Sequence, residues 1–88
     1  MNIETVWNNI VKHEGEVFET VTGIKFTYIV LNNHVIQPYV GNETRWKLSK
    51  HVFEKALSFP VFGGHLFNQT IIGASYVAGI LNDKRIRA

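Results

Sequence analysis

The chain has 88 residues, of which 45% are hydrophobic and 18% charged, and it contains no cysteine. That composition fits a single small globular domain rather than a disordered segment, and it excludes disulfide staples and thiolate zinc sites, as expected in a reducing cytoplasm. The net charge of +2 conceals a division: residues 1–44 carry five glutamates against two lysines, whereas residues 45–88 carry seven basic residues against two acidic ones. A basic half favours an anionic partner, because clustered cations raise the local potential.

Ile3, Val6, Trp7, Ile10 and Val11 recur at helical spacing, which predicts an amphipathic helix over 3–13. Asn2 can cap its start and Gly15 can stop it. No secretory leader is expected at the N-terminus, and no apolar run approaches the roughly 20 residues that span a bilayer. No membrane association is expected.

The period then changes. Val, Ile, Phe, Tyr and Thr dominate residues 16–40, interrupted by Thr22-Gly23 and Asn32-Asn33, both suited to tight turns. This predicts a three-stranded antiparallel meander over 16–21, 24–31 and 34–40. With two-residue turns, the core face collects Val17, Val21, Ile24, Phe26, Tyr28, Val30, Val35 and Tyr39. The opposite face collects Phe18, Thr20, Lys25, Thr27, Ile29, Leu31, His34 and Ile36. Pro38, which lacks an N–H, places the third strand at an edge.

Ser49 reads as the cap of a second helix over 50–58, with Leu48 and Phe53 at the positions of a hydrophobic staple. Residues 59–74 are too apolar for an ordinary connection and are expected to pack down, with a short strand near 69–72. Ser75 is expected to cap a final helix whose last turn carries Lys84 and Arg85 against the dipole. The fold class is therefore α+β, a three-stranded antiparallel meander with about three helices packed on one face.

Arg45-Trp46-Lys47-Leu48-Ser49-Lys50-His51 is the strongest candidate site. It gathers cations and an aromatic ring near the start of a helix, where phosphate can bind and a base can stack. The alternative is a capped helix with a solvated basic face and Trp46 packed inward. Lys84, Arg85 and Arg87 extend the basic surface or form a solvated tail. The candidate nucleic-acid-binding residues are thus Arg45, Trp46, Lys47, Lys50, Lys84, Arg85 and Arg87.

Signals for other chemistry are weak. Gly73-Ala74-Ser75 lacks the spacing of a phosphate-binding loop and reads as a helix start. His51 and Glu54 are spaced to share a ligand, but no paired-histidine motif completes a metal site, and His13, His34 and His65 are scattered. There is no nucleophile elbow, and no cofactor or metal is implied.

The hairpin Gly23-Ile24-Lys25-Phe26-Thr27-Tyr28 and the ending Ser75-Tyr76-Val77-Ala78-Gly79-Ile80-Leu81-Asn82-Asp83-Lys84-Arg85-Ile86 together resemble a small bacterial and phage domain of unknown function. Such modules lie near restriction-type or mobile-element genes, so the resemblance implies a link to nucleic acid. The element order argues against a winged helix. The expected function is a non-enzymatic nucleic-acid-binding or accessory module of a bacterial or phage system. Its rival is a protein-interaction or self-association module, with a protein partner or as a homodimer, built on Phe18, Ile29, Leu31 and Ile36. A small enzyme subunit without a site of its own is the third reading.

Overall fold

A computed structural model describes residues 1–87. Helix α1 runs Ile3–Lys12 and begins where Asn2 Oδ1 accepts the Thr5 N–H at 2.9 Å. Strands β1 (Phe18–Glu19), β2 (Lys25–Leu31) and β3 (Val35–Val40) form the meander. The structure extends it with β4 (Glu43–Thr44) and β5 (Leu48–Ser49), two short strands that both pair antiparallel with β3. Four helices follow: α2 (Lys50–Ala56), α3 (His65–Thr70), α4 (Ala74–Leu81) and α5 (Lys84–Arg87). The architecture is α+β with an antiparallel sheet.

The phase of β2 is as expected, with Phe26 and Tyr28 buried. Its two neighbours are reversed. Phe18 pairs with Phe26, and Val30 pairs with Ile36, so Phe18, Thr20 and Ile36 point into the core while Val17 and Val21 are exposed; Ile24, just before β2, is exposed as well. Both reversals have the same cause. Each hairpin closes through three residues, Val21-Thr22-Gly23 and Asn32-Asn33-His34, instead of two. One extra residue exchanges the faces of everything beyond it. In the first turn, Gly23 holds φ +94° and Thr20 Oγ1 accepts the Ile24 N–H at 3.0 Å. In the second, Asn32 and Asn33 take φ 54° and 61°, as their short polar side chains tolerate.

Pro38 also departs from its expected place. Strand β3 is internal, paired with β2 on one side and with β4 and β5 on the other. The outer ladder breaks beside the proline. Tyr39 opposes Thr44 and Ile36 opposes Leu48, which leaves Arg45-Trp46-Lys47 as a bulge carrying one residue more than the strand it faces. A missing N–H is tolerated at such a break.

Helix α2 begins at Ser49, whose Oγ accepts the Val52 N–H, and Leu48 and Phe53 are fully buried in one cluster. Residues 59–74 pack down as expected, with Phe59 and Phe62 against the buried Phe67. Helix α3 stands where a strand was expected near 69–72. Phe67 is its buried position, and Ile71, the extended residue that follows the helix, is buried as well. Ser75 is not a cap but lies inside α4, which Gly73 precedes with φ +63°. The final helix is divided, because the Asp83 carboxylate accepts the Arg85 N–H at 2.9 Å and starts α5 there. Lys84 and Arg85 therefore sit in the single turn of α5 rather than in the last turn of α4.

The core lies between the inner sheet face and the helices. Tyr28 donates its hydroxyl to the Ile10 carbonyl at 2.6 Å, and Trp7 Nε1 donates to the Asn33 carbonyl at 2.9 Å, so α1 is tied to both the middle of β2 and the turn that follows it. Beyond α1, Gly15 N–H donates to Tyr28 O and Glu14 Oε2 accepts the Val30 N–H. These two residues occupy the part of the β2 edge that β1 does not reach.

Helix α4 lies directly on β1. A Cβ built on Gly79 would stand 2.5 Å from the Glu19 carbonyl oxygen. Gly79→Ala gains about 1 kcal/mol of helix propensity, but it forces apart two backbones that no rotamer change can relieve, at about 1–3 kcal/mol or more. The net result expected is a lower melting temperature, read by thermal circular dichroism. Phe26→Ala, in the same core, is expected to cost about 3–5 kcal/mol. A comparable melting curve for that variant would contradict the assignment of Phe26 to the core.

Candidate nucleic-acid interface

The bulge is held from within. The Arg45 N–H donates to Pro38 O at 2.8 Å, its carbonyl accepts from Gln37 Nε2, and its Nε donates to the Tyr76 hydroxyl at 3.1 Å. Tyr76 is itself fixed, edge-on to Phe26 at 5.0 Å between ring centroids. Arg45 also meets Glu43 at 3.4 Å. With Arg45 pinned by backbone and side chain, the next residue projects outward, and Trp46 is 66% exposed. It is not packed inward. Lys47 beside it is exposed and makes no ion pair among the described residues.

A cleft of about 520 Å³ opens beside Trp46. Its walls include Tyr76, Ser75 and the stretch Asn68–Thr70. A second cleft of about 160 Å³ lies across the ridge of Thr70, Ile71 and Ile72, which line both, and its far wall carries His51 and Lys55. Lys55 thus lines a cleft that shares the Thr70, Ile71 and Ile72 ridge with the one beside Trp46. It was absent from the residues singled out in the sequence, because only the fold of 65–73 brings it there.

The remaining candidates go elsewhere. Lys50 leaves the cluster to pair with Glu4 on α1 at 3.0 Å. Arg85 is a structural clamp. Its guanidinium meets Asp83 at 2.9 Å, Glu16 at 3.0 Å and the Val17 carbonyl at 2.7 Å, and it lies 3.9 Å over the Phe18 ring. Lys84 and Arg87 are exposed nearby. They follow the C-terminal end of α4, whereas Arg45 and Tyr76 meet at its first turn, about 12 Å away along a helix of this length. The C-terminal cations and the Trp46 bulge are separate features.

The apolar face considered for association is not assembled as expected. Phe18 and Ile36 are core residues, while Ile29 is exposed and Leu31 half-buried. His51 and Glu54 stand 3.7 Å apart, and no group of three metal-ligating side chains occurs among the described residues. Among those residues no helix is long and apolar enough to cross a membrane. No family model, curated protein or solved structure matches the chain, so the likeness of 23–28 and 75–86 to a bacterial and phage module has no counterpart there.

The Arg85 clamp has a pH signature. Hydrogen bonds from His13 and then Arg85 hold the Glu16 carboxyl below its ordinary 4.5, and Arg85 holds Asp83 below 3.8. Both carboxyls bind protons more readily in the unfolded chain, so their contribution is complete above about pH 4.5 and is lost as pH falls through the lowered values. Arg85→Ala is expected to lower the melting temperature at neutral pH and to flatten its decline between about pH 5 and pH 2. Parallel profiles for the variant and the parent would exclude the clamp as the cause.

Proposed function

We propose that this chain is a non-enzymatic nucleic-acid-binding or accessory module of a bacterial or phage system, acting through the Arg45–Lys47 bulge. The observation that carries the reading is the pinned Arg45, which holds Trp46 out in solvent next to an unpaired cation. An exposed indole is costly to leave in water and is suited to stacking on a flat ring.

The charge of the second half supports the same reading once internal pairs are set aside. Arg45, Lys50 and Arg85 meet carboxylates within the chain. Lys47, Lys55, Lys84 and Arg87 make no ion pair among the described residues. Lys47 adjoins Trp46 in the chain and Lys55 lines the neighbouring cleft, so these two are the residues expected to neutralise phosphates there. Arg45 supports the bulge, and Lys84 and Arg87 add a more distant positive field.

Each neutralised phosphate releases condensed counterion, so affinity should fall steeply with salt. Anisotropy titrations with labelled DNA and RNA at several salt concentrations measure this directly. Lys47→Ala and Lys55→Ala are each expected to weaken binding for all sequences alike and to reduce the salt slope by about one. Lys50→Ala, already paired with Glu4, should change it less. Absence of binding at low salt, or slopes indifferent to both substitutions, would remove the proposal.

A further inference from the structure

The cleft beside Trp46 differs in character from the surface around it. Its lining sets the amides and hydroxyls of Asn68, Gln69, Ser75 and Tyr76 beside the apolar Ile71 and Ile72, and it carries no lysine, arginine, aspartate or glutamate. The cations stand outside: Lys47 follows Trp46 in the chain, and Lys55 lies across the ridge. A ligand suited to this arrangement has a flat uncharged part rich in donors and acceptors, joined to an anionic part.

We infer that the cleft receives an unpaired base of single-stranded nucleic acid, stacked on Trp46, with the adjoining phosphates directed towards Lys47 and Lys55; this rests on the nucleic-acid reading above. A base within a duplex cannot enter, because its edge is paired and both faces are already stacked. The volume of about 520 Å³ falls within the usual range for small-ligand clefts, about 300–1,000 Å³. The walls are firm enough to select, since Tyr76 is held by Arg45 and Phe26 on one side and Ile71 is buried on the other. Side-chain amides at Asn68 and Gln69 can each donate and accept, so they can meet the edge of any base without fixing one sequence.

The test compares the intact chain with Trp46→Ala, Trp46→Phe and Ser75→Phe, all at exposed or half-exposed positions, with folding checked by thermal melting. The probes are labelled single-stranded DNA, single-stranded RNA and a DNA duplex of equal length. The expected result is preference for the single strands. Trp46→Ala should weaken single-strand binding about 5- to 100-fold, the loss of a base–aromatic stack, with duplex binding unchanged. Trp46→Phe should restore most of it, and Ser75→Phe, which fills the cleft, should remove the preference while leaving Trp46 and Lys47 in place. Equal affinity for duplex and single strand, or equal losses on both probes, would overturn this inference and leave the basic surface standing. Binding to no probe at low salt would overturn both.

Discussion

The close approach of α4 to β1 through Gly79 governs the arrangement of the rest. No side chain separates the helix from the Glu19 carbonyl, so α4 sinks far enough for Val77, Ala78, Ile80 and Leu81 all to be buried. With the middle of the helix fixed, its ends have little freedom. One end presents Tyr76 to Arg45 and Phe26, and the other carries Arg85, paired with Asp83, to Glu16 and Phe18. The wall of the cleft and the clamp at the opposite pole are two outcomes of one backbone contact.

Helices with a clear period and a side-chain cap were readable from the sequence. Asn2 and Ser49 do cap α1 and α2, and the inward stripe of Val6, Trp7 and Ile10 is buried. The strands were located but their facing was not, because facing depends on turn length. Thr22-Gly23 and Asn32-Asn33 fit two-residue turns and also fit the three-residue closures that form. A signal did exist: Phe18 has far more apolar surface to remove from water than Val17, and Thr20 offers a hydroxyl that can satisfy the turn from within. The divided final helix is harder, since Tyr76 to Arg85 reads as one amphipathic run until Asp83 is weighed as a cap.

For the site, residue types were legible and partners were not. Arg45, Lys50 and Arg85 look alike as cations in the sequence, yet each meets a different carboxylate, and those of Lys50 and Arg85 lie 46 and 69 positions away in Glu4 and Glu16. Such pairs are set by topology and have no local trace. Trp46 is the opposite case. Pro38 breaks the ladder next to it, and a proline in an internal strand marks a place where the neighbouring chain is free to leave the sheet.

The segment Glu14-Gly15 on the β2 edge has a consequence for life at high concentration. An open strand edge is a template on which another chain can add itself. Here the Tyr28 carbonyl and the Val30 N–H are already engaged by Gly15 and Glu14, and β1 takes the positions before them. What guards the Val30 position is a carboxylate, which brings negative charge to the rim as well as a hydrogen bond. A copy of the chain arriving strand-first meets no free ladder there, so copies can be crowded together without their sheets fusing at that edge.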